Sequence, residues 1–287
     1  MKKIKMVCLL ISAVLMLNMF CACSLSKEKT ESKKIIAVAI VPVATFVEEI
    51  CSDEFEIVTM IPPGASPETY EPSPYEMQKL EDSCIYFSIG VPAEENFILP
   101  NIKDKSKIVY INKEAEKNYK ELMDDGGRDP HIWLSPKRVS AMIPAISQGL
   151  SDKNAENSDT YKANADLLLK KLNDLDQEIT ALFRGKRGGK FITLHPSFGY
   201  LADDYGLQMY SLEEHGREVN AKHMAEMANL AKNENIKTIF YQAESSGIQA
   251  NAFAEEIGGK AVSLDPLSAD YIANLLKMAK LISKAVN

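Results

Sequence analysis

One long amphipathic helix separates two blocks of alternating strands and helices, and it constrains the fold of this chain more than any other feature. Between Thr160 and Arg184, leucine and isoleucine recur at helical spacing among many charged residues, which predicts a helix of about seven turns. Residues 185–189, of sequence GKRGG, then end it, because glycine readily adopts the conformation that follows a helix. We assign residues 156–186 to this linker helix.

Short apolar runs alternate with helical segments on both sides of the linker. Residues 35–41 are continuously apolar, as expected of a strand that is covered on both faces. Residues 236–241 form a comparable run in the second block. This alternation predicts an open, mostly parallel sheet with helices on both faces in each block. We therefore predict an α/β fold of two lobes, residues 34–155 and residues 187–287, joined by one rigid helix.

The N-terminal residues have the composition of an export signal. Three lysines precede residues 7–19, which are almost wholly apolar. This run is shorter than the ~20 residues that span a bilayer, but it suits a signal peptide. Residues 20–24 read FCACS and are similar to a bacterial lipobox, with a small residue before a cysteine. We expect residues 1–22 to be a lipoprotein signal peptide and Cys23 to carry the lipid, with an ordinary cleaved signal or an uncleaved anchor as the alternatives.

The composition indicates how the rest of the chain behaves: its N-terminal segment, its net charge and its cysteines. Residues 23–33 are polar and cannot bury a core, so we expect a flexible tether there. Removal of residues 1–22 takes away three lysines and no acids, so the formal charge falls from −7 to −10, which is unfavourable for binding nucleic acid. Cys51 and Cys84 could form a disulfide or remain buried free thiols, and we favour free thiols.

Four polar residues fall in loops outside the core elements: Glu68, His131, His195 and Asp265. His195 and Asp265 each follow a predicted strand directly, at the end where ligands bind in open α/β sheets. Two imidazoles and two carboxylates suit a borderline divalent cation, and the carboxylates would neutralise its charge. By position alone, a histidine in such a place is more often a satisfied hydrogen-bonding residue than a ligand, and the aspartate could be a turn residue.

Four segments resemble the ligand loops of the metal-specific (zinc and manganese) ABC substrate-binding lipoproteins. They are residues 63–74, 129–136, 193–200 and 264–267, in the same order along the chain. The resemblance implies a metal site in the cleft between the lobes, formed by the four residues named above. It also implies an extracytoplasmic, monomeric protein, lipid-anchored to the bacterial cell membrane, that captures Zn²⁺ or Mn²⁺ and delivers it to an ABC permease with its ATPase.

The identity of the metal depends on Glu68. The first loop of that family usually carries histidine where this chain has glutamate; zinc-type members generally present three histidines and a carboxylate, and manganese-type members two of each. The histidine at position 195 matches the zinc type, whereas the total of two histidines and two carboxylates matches the manganese type. The acidic residues 121–128 contain no histidine. We expect zinc, which binds a given nitrogen and oxygen site more tightly than manganese, with a manganese-specific or adhesin-like lipoprotein as the alternative.

The remaining candidates receive less weight. Glu244 follows a predicted strand near the cleft, where it could hydrogen-bond to a ligating imidazole. His215 and His223 are expected to face solvent. A metallohydrolase is a remote alternative, because the chain has neither the His-Glu-x-x-His motif of helix-borne zinc proteases nor a Gly-x-Ser-x-Gly elbow, and hydrolysis needs a general base and an open metal position. We therefore predict that the chain is not an enzyme.

Overall fold

The computed structural model describes residues 33–124, 127–213 and 219–286. The predicted signal peptide (1–22), the lipidation residue Cys23, the predicted tether as far as residue 32, and His215 lie outside the described residues. Within the described part of the chain, no helix combines the length and the apolar character needed to cross a membrane.

The first lobe is built on a four-stranded parallel sheet. Its strands are β1 (Ile35–Val38), β2 (Glu56–Thr59), β3 (Ile85–Ser88) and β4 (Ile108–Tyr110), in the spatial order β2-β1-β3-β4. Its helices are α1 (Val41–Cys51), α2 (Pro74–Asp82), α3 (Asn112–Glu116) and α4 (Pro136–Lys153). A short antiparallel hairpin, β5 (Met123–Asp124) with β6 (Gly127–Arg128), precedes α4.

The second lobe repeats this plan. Its parallel strands are β7 (Lys190–Thr193), β8 (Gln208–Ser211), β9 (Thr238–Gln242) and β10 (Lys260–Leu264), in the order β10-β9-β7-β8. Its helices are α6 (Gly199–Tyr205), α7 (Ala221–Asn233), α8 (Ile248–Glu256) and α9 (Tyr271–Ala285). In both sheets the second strand lies outside the first, and the third lies on the first strand's other side. The strand order therefore reverses at β1/β3 and at β7/β9, where open α/β sheets leave a crevice for ligands.

Helix α5 (Ser158–Phe183), 26 residues long, joins the two lobes. Its buried side chains recur every three or four residues and form one apolar stripe: Tyr161, Ala165, Leu168, Leu172, Leu175, Ile179 and Phe183. The stripe packs against α1 and α4 of the first lobe and against α9 of the second. Because a single continuous helix contacts both lobes, it restricts how they can move relative to each other.

The hydrophobic core follows the same division. One large cluster extends from the first lobe across α5 and into α9. Within it the rings of Phe46 and Tyr271 meet edge to face, with centroids 4.8 Å apart, a favourable aromatic geometry. A second cluster fills the space between β7, β9 and the helices α7 and α8. Much of the apolar surface of the second lobe is thus buried against the linker and the first lobe.

The structure confirms the predicted fold class and corrects one boundary. Two parallel sheets flank one long helix, as the alternation predicts. The first strand ends at Val38 rather than residue 41, because helix α1 begins at Val41 with Pro42 in its first turn, where proline's missing donor costs nothing. Cys51 and Cys84 are free thiols, as we favoured, but only Cys51 is buried and Cys84 is half-buried.

Candidate metal centre

Three of the four predicted ligands converge between the lobes. Glu68 and His131 come from the first lobe, and His195 comes from the second. Glu68 Oε1 lies 2.8 Å from His195 Nε2 and 3.6 Å from His131 Nε2. Each residue offers one ligand atom, and these atoms all lie within 4.8 Å of one another. Two imidazole nitrogens and a carboxylate at this spacing are a ligand set that zinc accepts.

The loop after β2 fixes Glu68. Its backbone N–H donates to Ser66 Oγ at 3.2 Å, and the N–H of Tyr70 donates to the carbonyl oxygen of Ser66 at 3.1 Å. The Tyr70 hydroxyl donates to the Glu76 carboxylate at 2.7 Å, which also accepts from the backbone N–H of Ser73 as part of the capping box that opens α2. The glutamate loop is therefore tied to the start of α2.

The loop before α4 fixes His131. This side chain is buried, with 4% exposed, and a short 3-10 turn, Ile132–Leu134, follows it. Trp133 crosses to the second lobe, where its Nε1 donates to the carbonyl oxygen of Pro266 at 2.9 Å. The hydroxyl of Tyr271 donates to the Trp133 carbonyl oxygen at 2.7 Å. These two hydrogen bonds hold the His131 loop against the second lobe.

His195 stands at the carboxyl end of β7, as the sequence predicts. The preceding residue, Leu194, donates its N–H to the carbonyl oxygen of Phe240 in β9 at 2.7 Å. On the other side, Glu213 donates its N–H to the Leu194 carbonyl oxygen at 2.9 Å. The side chain of His195 is 10% exposed. The backbone of Leu194, the residue before His195, is therefore hydrogen-bonded on both sides. These bonds hold the His195 ring in position facing the cleft.

Each imidazole has a carboxylate partner on the ring nitrogen that faces away from the centre. His131 Nδ1 lies 2.8 Å from Asp129 Oδ1, and His195 Nδ1 lies 2.8 Å from Glu213 Oε2. A carboxylate that accepts from Nδ1–H leaves Nε2 to bind a metal and raises its basicity. Both Nε2 atoms face Glu68, so the two rings are held in the orientation that coordination requires.

Asp129 and Glu213 were not predicted from the sequence to be imidazole partners. Asp129 lies two residues before His131, and its Oδ1 also accepts from the His131 backbone N–H at 2.9 Å. An Asp-Pro-His sequence can form this local turn, so a signal for Asp129 was present. Glu213 follows β8 and is one of two consecutive glutamates, so nothing in the sequence distinguishes it.

The close contact between Glu68 and His195 changes the pKa of both groups. Burial alone would raise the pKa of the Glu68 carboxyl, but the hydrogen bond from His195 and the charges of both imidazoles lower it. Burial alone would lower the pKa of His195, but its hydrogen bonds to Glu213 and Glu68 and their negative charges raise it to about 9. In this arrangement a proton on His195 Nε2 occupies the position that a cation would take.

Two cavities reach the three converging residues. A small one is lined by all three together with Trp133 and Pro266. A larger one, of about 570 Å³, also reaches all three and continues beneath the β5–β6 hairpin. The imidazole rings meet edge to face, with centroids 5.2 Å apart. A cation can therefore approach through the larger cavity while the buried sides of the rings remain packed.

The structure does not bring Asp265 into this group of three. Asp265 lines an adjacent cavity of about 310 Å³, and its Oδ1 accepts from the N–H of Leu267 at 3.1 Å. Leu267 also lines the small cavity at the histidines, and so does Pro266, the residue that follows Asp265. The aspartate is therefore one residue away from the wall of the site, with its carboxylate held in its own turn.

Glu244 and His223 also differ from their predicted roles. Glu244 lines the same cavity as Asp265, where burial and then the Asp265 charge raise its pKa against the effect of a backbone hydrogen bond. The partner of His195 is instead Glu213, which β8 places beside β7. His223 does not face solvent, because its side chain is 15% exposed and its Nε2 lies 2.8 Å from the carbonyl oxygen of Ser211.

Two parallel-sheet lobes, a rigid helical linker and a ligand cluster in the cleft define the class of two-lobed substrate-binding proteins. The family model described as "ZnuA: Zinc-uptake complex component A periplasmic" matches residues 36–285. The chain belongs to this family, which comprises solute-binding proteins of transporters rather than enzymes.

Individual relatives agree with the family model. The chain is 27% identical over 276 residues to the high-affinity zinc uptake system protein ZnuA of Bacillus subtilis, covering 90% of this chain and 86% of that protein. A zinc-bound ZnuA deletion mutant superposes with a TM-score of 0.81 at 31% identity, covering 88% of this chain and 98% of the other. The chain is also 27% identical over 280 residues to the zinc-binding protein AdcA of Streptococcus pyogenes, covering 88% of this chain but only 54% of AdcA. The chain thus spans about half the length of AdcA.

Proposed function

We propose that this protein is the extracytoplasmic substrate-binding component of an ABC importer, which captures zinc between its lobes and delivers it to a membrane permease. The observation that carries the proposal is the convergence of Glu68, His131 and His195 from both lobes, with ligand atoms within 4.8 Å of one another. A cation bound there would replace the proton between Glu68 and His195 and would join the lobes through its coordination bonds. Metal binding would then also fix the arrangement of the two lobes. A permease could recognise that arrangement.

Zinc is the favoured cargo. Two oriented imidazole nitrogens favour zinc over manganese at equal availability. Two relatives are named for zinc uptake or zinc binding, and a related structure was solved with zinc bound. Manganese is the second candidate because Glu68 supplies a hard oxygen where the family usually has a third imidazole. Under this proposal the chain has no catalytic role.

The proposal includes the cellular setting that the sequence predicts. Cys23 would carry a lipid that anchors the chain to the bacterial cell membrane, and residues 23–33 would give it reach towards the permease and its ATPase. The protein would act as a monomer, because all four proposed ligands come from a single chain. The pneumococcal AdcA relative is named a lipoprotein.

Native mass spectrometry of the tag-free chain, with zinc and manganese offered together in equal amounts, tests the function. We expect one zinc ion per chain, retained through dialysis, and no hydrolysis of generic esters or peptides by the loaded protein. If the chain retains manganese in preference to zinc, we would infer that it serves a manganese importer instead. Retention of neither metal would refute the proposal.

Asp265 remains our proposed fourth ligand, to be recruited when metal binds. Its turn is adjacent to the wall of the site, so a small rearrangement would bring a second carboxylate to the metal. We expect Asp265→Asn to weaken zinc binding by roughly tenfold, less than removal of an imidazole, because Glu68, His131 and His195 would still bind the ion. A chelator competition assay measures the change. Affinity equal to that of the parent would remove Asp265 from the ligand set.

Asp129 and Glu213 should affect metal binding without touching the ion. We expect Asp129→Asn and Glu213→Gln each to weaken zinc binding by about 10–100-fold, the usual effect of removing a carboxylate that orients a ligating histidine. The same chelator competition measures both variants. Glu121→Gln is a matched control, because Glu121 pairs with Arg128 and lies outside the cluster of Glu68, His131 and His195 in the described part of the chain. Unchanged affinity in both variants would show that the rings are oriented by packing alone.

A further inference from the structure

A buried ion pair joins the lobes close to both histidine loops. Arg138 lies in the first turn of α4, and its side chain is 3% exposed. Its guanidinium donates through Nη1 to Oδ1 of Asp204 in α6, which is 6% exposed, and through Nη2 to Asp203 Oδ2 at 3.2 Å. The hydroxyl of Ser135 donates to the other carboxylate oxygen of Asp204. The first lobe thus holds the Asp204 carboxylate at both oxygens.

The ion pair is close in sequence to both metal-binding histidines. His131 leads through a short turn into α4, which starts at Pro136 and carries Arg138 in its first turn. His195 leads in the same way into α6, whose last turn carries Asp204. Linking these two helices therefore fixes the separation of the two loops that precede them.

A second connection runs from the guanidinium to an imidazole. The Arg138 guanidinium carbon lies 4.6 Å from the centroid of the Tyr200 ring, a stacked cation–π arrangement. The Tyr200 hydroxyl donates to the carbonyl oxygen of Asp129 at 3.1 Å. The carboxylate of Asp129 in turn holds His131. Arg138 thus positions the Tyr200 ring. The Tyr200 hydroxyl holds Asp129, and Asp129 orients His131.

Stability alone does not explain a buried pair of this kind. Removing two charges from water costs about as much as their attraction returns, and hydrophobic replacements of similar volume are often neutral or stabilising. What the pair provides is a defined geometry, because the planar guanidinium fork donates to carboxylates in few orientations. Arg138 Nε is buried and has no hydrogen-bond partner in the described residues, so the arrangement is not optimised for hydrogen bonding.

We infer that Arg138 and Asp204 are a positioning pair, which sets the distance between His131 and His195 before the metal arrives. This inference rests on the proposed zinc-binding function. A site assembled in advance binds more tightly than one that must be ordered during binding. Neither residue would touch the ion, and their effect would pass through the two helices and through Tyr200.

Substitution of the pair tests the inference. We expect Arg138→Met to raise the dissociation constant for zinc by roughly tenfold. We expect the double variant Arg138→Met/Asp204→Leu to raise it by a similar factor while its metal-free melting temperature stays within a few degrees of the parent. The absorption spectrum of bound Co²⁺, which reports coordination geometry, should change in both variants. Tyr200→Phe keeps the ring and loses only the hydroxyl, and it should give a smaller change in the same direction.

The controls separate this inference from the function on which it depends. Lys171→Met removes an exposed ion pair in which Lys171 Nζ lies 2.6 Å from Glu49 Oε2. This substitution should leave zinc affinity and the Co²⁺ spectrum unchanged. If the parent chain binds zinc and the double variant binds it equally well with an unchanged spectrum, the positioning role is wrong and the function stands. If the parent itself binds no zinc, both are overturned.

Discussion

Replacing His195 with alanine will lower the affinity for zinc by roughly 100- to 1,000-fold, since full zinc sites are worth roughly 10–16 kcal/mol shared among about four ligands. His195 is the only imidazole that the second lobe contributes to the cluster within the described residues. It also stands 2.8 Å from the Glu68 carboxylate. Its loss therefore removes a ligand and the contact through which the metal joins the lobes. Competition with a chromophoric chelator measures the change.

His223→Ala is the matched control for this substitution. His223 lies in the same lobe and is also largely buried, but its Nε2 bonds to the backbone oxygen of Ser211 and it is not part of the cluster. We expect the control to bind zinc as the parent does. Equal loss of affinity in both variants would indicate a folding defect in the second lobe rather than loss of a ligand. Parent-like affinity in the His195 variant would remove it from the site.

The second large effect is a steep dependence of zinc affinity on pH. The pKa of His195 is raised to about 9 in the metal-free protein, so below that pH the ring carries a proton on the atom that must bind zinc. Zinc must displace this proton, and affinity should rise by about tenfold per pH unit until the pH approaches the pKa of His195. Between pH 6 and pH 9 the total change is then about a thousandfold.

Calorimetry in buffers of different ionisation enthalpy measures the proton release directly. We expect about one proton released per zinc ion at neutral pH. Glu213→Gln removes one of the two carboxylates that raise the His195 pKa, so in that variant the pH at which the dependence levels off should move downwards. Zinc binding that releases no proton at neutral pH would contradict the ion pair between His195 and Glu68.

The architecture could be predicted from the sequence because it depends on local patterns. The apolar runs and the stripe of α5 are set by burial on a strand or on one side of a helix, and each can be read within a short window. Boundaries were less certain. The apolar run at residues 35–41 continues from β1 into α1, because both elements are buried and hydrophobicity alone does not distinguish them.

The site was only partly predictable. His195 could be identified because it directly follows a strand, at the end of the sheet where ligands bind, and His131 because its loop resembles a ligand loop of the metal-binding family. Asp129 was within reach of sequence reasoning, because an Asp-Pro-His sequence can form the local turn that holds His131. Glu213 and the pairing of Arg138 with Asp204 depend on which side chains meet in the folded chain, and no spacing in the sequence encodes those contacts. For the same reason, the sequence did not indicate that Asp265 lines the neighbouring cavity while the other three predicted ligands converge.

A crystal structure of the zinc-loaded protein, with anomalous diffraction recorded at the zinc edge, tests the central claim most directly. We expect one anomalous peak between the lobes, at about 2.0–2.2 Å from Nε2 of His131, Nε2 of His195 and a carboxylate oxygen of Glu68. The direct hydrogen bond between Glu68 and His195 should be replaced by the ion. A peak elsewhere, or this hydrogen bond intact beside a fully loaded metal, would contradict the account.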